Sequence, residues 1–171
     1  MNNFVHSPLG LIHIVSAVVA MIAGAIVLLN QKTTRFHKRT GYVYVGSMVI
    51  LNATAFLIYH LFGRFGPFHV AAVFSTVSIL GGMVPMFFRR QITGWLHWHY
   101  FFINWSVVGL YAAFWAETLV RLVPMAQFWP VVVGATVGTA ITGSILIRKN
   151  KSRFLPATKK VSNSPVQAVF S

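Results

Sequence analysis

Cysteine is absent from the 171 residues, and only one residue, Glu117, is acidic. The first absence excludes disulfides, thiolate metal sites, iron–sulfur clusters and covalent c-type haem. The second leaves all carboxylate side-chain chemistry to one position. Charged residues of either sign make up 9% of the chain, against about a quarter in soluble domains. Hydrophobic residues fill their place at 56%, with a mean hydropathy of +0.69. The opening MNNFVHSPLG has no Lys or Arg, so it lacks the positive region of a secretory signal, and the first apolar run is expected to be a retained span.

Five apolar runs each approach the ~20 residues needed to cross a bilayer. They cover about 9–30, 41–63, 68–88, 97–122 and 128–147. The expected fold is all-α, an integral membrane bundle of five transmembrane helices over 1–147, followed by a basic, largely disordered cytoplasmic tail over 148–171. Ser7-Pro8 is a good helix entry. Ala17, Ala20 and Gly24 line one stripe of the first run, where small residues let helix backbones approach in lipid. His13 shares that stripe. In the fifth run Gly134 and Gly138 form a GxxxG that is expected to meet another helix, in the bundle or in a partner or second copy.

Charge sets the expected orientation. The segments 31–40 and 89–96 and the tail carry four, two and six Lys or Arg, twelve of the fourteen in the chain. With five spans these three segments share one side, so the positive-inside bias places the N-terminus out and the C-terminus in. The net charge of +13 then describes cytoplasmic flanks at a bacterial inner membrane, and nucleic-acid binding is not expected.

The long aromatic run HWHYFFINWSVVGLYAAFWAETLVRL (97–122) holds Glu117. Eighteen residues, five full turns, separate it from His99, so both lie on one helix face about 27 Å apart. Ser106 falls close to the same line. The inferred depths gather His13, His60, His69 and Glu117 in one layer near the outer face, as a candidate haem or metal site. His37 and His99 form a secondary group at the inner face. Imidazole and carboxylate suit a divalent transition metal, two histidines can clamp haem b, and the same groups can relay protons. Each residue also has a plainer reading. His13 can be a packed histidine, His60 and His69 can be wet interfacial residues, and Glu117 with Arg121 at i+4 can be a structural ion pair. Tyr42 and Tyr44 are read as inner-interface residues, and Trp95, Trp98 and Trp129 as an aromatic belt.

The segments FHKRTGYVY (36–44), GRFGPFH (63–69) and HYFFINWSVVGLYAAFWAETLVRL (99–122) resemble the bacterial membrane-protein family called domain of unknown function 2306. The similarity runs from about Leu9 to Val123. It places the family's histidines on His13, His37, His69 and His99, a basic–Gly–Tyr pattern on Arg39, Gly41 and Tyr44, and its Glu-x-x-x-Arg ending on Glu117 and Arg121. The fifth run and tail carry no matching pattern. The resemblance implies a small multi-span helical membrane protein and supplies no activity. Three functions therefore stand open, and whether the chain is an enzyme stays open with them. One is a His-ligated haem or metal protein of redox or electron transfer. The second is a proton-coupled transporter or channel subunit using Glu117 and the histidines. The third is a non-catalytic partner in a larger membrane complex.

Overall fold

The computed structural model describes residues 7–30, 34–58, 63 and 65–154, with only the backbone for 152–154. Among the described residues there are five α-helices, one short 3-10 turn and no strand. Helix α1 spans Pro8–Leu29. The Ser7 hydroxyl accepts the Gly10 N–H at 3.0 Å, and Pro8 fills a first-turn position that needs no donor. Helix α2 spans Arg35–Leu57, with Thr34 capping it by accepting the His37 N–H.

Helix α2 thus starts before the expected 41 and stops short of 63. An apolar run marks the chain inside hydrocarbon, whereas Lys and Arg are good helix formers that carry a helix beyond it. The last helix behaves alike. Helix α5, Phe128–Phe154, continues through the basic residues after 147, and the tail from 155 lies outside the described residues.

Helices α3 (Pro67–Phe87) and α4 (Trp95–Val120) are joined by a tight turn. That turn ends at Gly94, whose φ of 75° lies in the left-handed region glycine favours. A 3-10 turn, Met125–Gln127, leads into α5. Helices α1, α2 and α3, and the segment Met125–Lys151, are long and apolar enough to cross a membrane. At 26 residues, about 39 Å, α4 is long enough. Its run, however, is broken by His97, His99, Asn104, Ser106 and Glu117.

This polar helix is also the enclosed one. Tyr100, Asn104, Ser106 and Val107 are buried on it, and it packs against α1, α3 and α5. Helix α1 packs chiefly on α2. The core joins Ala20, Ala23 and Val27 of α1 to Tyr44, Met48 and Leu51 of α2, with Ile79, Met83, Ile103, Val107 and Leu110 completing it.

Glycines set the closest approaches. A Cβ on Gly24 would stand 3.1 Å from the Tyr44 ring, one on Gly82 2.7 Å from Ile103, and one on Gly143 would overlap Val108. The α1 stripe therefore packs as expected. The α5 stripe does not pack within the bundle, because nothing lies within 4 Å of a Cβ built on Gly134 or Gly138. The residue that seats α5 on α4 is Gly143, outside the GxxxG.

Candidate functional site

Helix α4 carries ionisable groups at both ends and a hydroxyl between them, and each has its own partners. At one end Arg121 donates from Nη2 to Glu117 Oε1 at 2.5 Å, with the two side chains 44% and 33% exposed. One helical turn separates them, so the α4 backbone alone sets the pair. The charges of both Glu117 and Arg121 act on the His13 ring of α1. Three ionisable groups from two helices therefore share one end of the bundle.

His13 is held by α2. Its Nδ1 lies 2.9 Å from Thr54 Oγ1. Thr54 has one hydroxyl proton, and its oxygen lies 2.9 Å from both the Ile50 and Leu51 carbonyls of its own helix. With that proton directed to its own backbone, the hydrogen between the two side chains belongs to His13 Nδ1. A neutral ring then carries its lone pair on Nε2.

The middle of α4 holds the most buried polar contact. Ser106 donates to the Ile103 carbonyl at 2.8 Å, so Tyr44 O–H donates to Ser106 Oγ at 2.7 Å. Tyr44 is 0% exposed and its ring fills the space beside Gly24. It is a core residue, which corrects its reading as an interfacial tyrosine. Tyr42, 59% exposed, is not buried. Nearby, Tyr111 donates to the Met21 carbonyl at 3.2 Å and ties α4 to α1. At the other end His99 Nδ1 must donate to the Gly82 carbonyl, 2.9 Å away, since a carbonyl only accepts.

The candidate ligands do not all meet. His69 Nδ1 accepts the Gly66 N–H at 3.2 Å and closes a box at the start of α3. The ring is buried and lies 5.0 Å from that of Phe65. With that lone pair engaged, a neutral His69 carries its hydrogen on Nε2, which is unsuited to ligation without leaving the cap. His60 lies outside the described residues. Among the described residues no group of three or more His, Cys, Asp or Glu side chains is placed to hold a metal ion. His37 is half-buried at the start of α2, and His97 is exposed.

Thr54, Tyr44 and Tyr111 escaped the sequence reading as partners. Only Ser106, on the His99–Glu117 line, signalled where one of them would bond.

Residues 10–148 match the family model described as "Predicted membrane protein (DUF2306)". The match takes in α5 as far as Arg148, where the sequence offered no recognisable pattern. No curated protein and no solved structure matches the chain.

Proposed function

Taking as premise that the chain belongs to this family of predicted membrane proteins, we propose a five-span protein of the bacterial inner membrane that takes up and releases a proton at His13, beside the Glu117–Arg121 ion pair. Its N-terminus is outside and its C-terminus cytoplasmic, a reading supported by the twelve of fourteen Lys and Arg in segments 31–40, 89–96 and the tail. Helix α4 counts as the fourth span because its mid-helix polar residues, Asn104 and Ser106, are buried and its other polar groups lie toward its ends. The functional class is a proton-coupled transporter or channel subunit.

One observation carries this reading: the only acidic residue is held by Arg121 and lies within the field of a histidine already oriented by Thr54. With His13 neutral, the three groups sum to zero charge. A proton on His13 Nε2 makes it a second cation competing for the same carboxylate. Glu117 then turns from Arg121 toward His13, and Arg121, already partly exposed, follows water. Proton arrival is thereby converted into a change of contact between α1 and α4. Intramembrane ionisable residues mark such pathways in pumps and transporters. No cluster among the described residues favours the haem or divalent-metal reading.

Infrared difference spectroscopy suits the test, because the chain has one side-chain carboxylate. In reconstituted protein taken across the His13 titration, the Glu117 carboxylate band should shift, and the shift should vanish in His13→Gln. Subtraction against Glu117→Gln removes the chain terminus. A Glu117 band that moves identically in wild type and His13→Gln would rule the coupling out.

A further inference from the structure

The α3–α4 contact leaves a trough on the outer side of the bundle. Gly81 and Gly82 bring the two backbones together so closely that a Cβ on Gly81 would stand 2.9 Å from the Phe102 ring. Beside this seam, Val77, Leu80, Val84 and Pro85 of α3 face Trp98 and Phe102 of α4, and Ile92 closes one end. Trp98 and Phe102 stack nearly parallel, 9° apart with centroids at 5.5 Å, as one flat wall. The trough measures about 530 Å³. Val77, Leu80 and Trp98 are each more than half exposed, so no element among the described residues covers it.

Its water end is cationic. Arg89 and Arg90, both exposed, lie in the turn between Pro85 and Ile92. That turn is drawn tight by Gln91 and Ile92 N–H bonds to the Phe88 carbonyl. Helix α4 begins in the same turn, with no side-chain cap at Gly94. No acid offsets this charge, since Glu117 sits twenty-two residues beyond Trp95, about 33 Å along α4.

A soluble anion would have no use for the aromatic trough, and a neutral lipid none for the two guanidinium groups. We infer that the trough seats one acyl chain of an anionic phospholipid while Arg89 and Arg90 hold its phosphate. Hydrocarbon alone gives no preference among lipids, because every tail is equally apolar. Guanidinium can pair with the phosphate of either lipid in a bidentate fork, so the selectivity comes from net charge: a choline headgroup brings its own cation against the two arginines, whereas each basic residue near a membrane surface favours an anionic lipid by about fivefold. The inference is independent of which way the bundle faces.

The test is native mass spectrometry of the full chain in neutral detergent, titrated with phosphatidylglycerol or phosphatidylcholine of matched tails. Wild type should retain phosphatidylglycerol at least about fivefold better. Arg89→Gln with Arg90→Gln should abolish the preference, whereas Lys38→Gln with Arg39→Gln, an equal loss of charge elsewhere, should keep it. Val84→Trp should narrow the trough and weaken retention of both lipids, with Leu80→Trp as the substitute if that variant does not fold. Equal retention of the two lipids by wild type would overturn the inference. So would a preference surviving the Arg89/Arg90 change. Glycerol 1-phosphate competing as well as the whole lipid would reduce the site to a simple anion patch and overturn the acyl seat.

Discussion

Helices α3 and α5 both lean on α4, and both carry a pair of glycines, adjacent in α3 and four residues apart in α5. Gly81 and Gly82 of α3 lie against Phe102 and Ile103 with no room for a methyl group, while Gly134 and Gly138 of α5 face open space. The difference lies on the other side of the contact. Small residues permit approach, but whether it happens depends on what the partner helix presents. Helix α4 offers α3 the bulk of Phe102 and Ile103, and it offers α5 Val108, which meets Gly143 instead.

The strongest way to break this contrast is Gly82→Leu. A leucine there must displace Ile103 and part the helices, and overpacking of this kind costs about 3 kcal/mol. The variant should lose a large part of its resistance to thermal unfolding in detergent, and wild-type behaviour would mean the α3–α4 seam is looser than described. Ser106→Ala is a smaller perturbation. It leaves the buried Tyr44 hydroxyl without its acceptor, an effect of about 1 kcal/mol. Tyr44→Phe in the same background should recover part of that loss, and a double-mutant cycle showing no coupling would mean the two side chains do not share the hydrogen. Gly138→Leu should have the least effect, within about 0.5 kcal/mol of wild type, as for a surface change far from special features. A marked loss of stability would show that this face is covered, either in the bundle or by a second copy.

Much of the architecture was legible because it rests on patterns within single helices. Ala20 and Gly24 lie on one stripe and were expected to face protein, and both are buried. What escaped depended on contacts between distant residues or on local competition. Tyr44 follows a basic segment, where tyrosine usually marks an interface. It is core here because Gly24 leaves a hole for its ring and Ser106, 62 residues later, takes its hydrogen. Depth alone leaves His69 as either a ligand or an interfacial residue, and it gives no sign that the N–H of Gly66, three residues upstream, engages its Nδ1. The apolar runs mark less than the helices at Arg35–Gly41 and after Ile147, where lysine and arginine prolong α2 and α5.

The position of α5 at the margin of the bundle bears on how the protein is made. The core cluster is drawn from α1 to α4, and the main contact of α5 is with α4. A chain emerging from the ribosome therefore holds every residue of that cluster before α5 has been synthesised, and α5 adds the buried Phe128 afterwards. The cluster residues of the first four helices are thus available to pack before the fifth is made. Helix α5 then joins them from one side, guided by Gly143 against Val108 and by the Tyr100 hydroxyl reaching the Ile147 carbonyl.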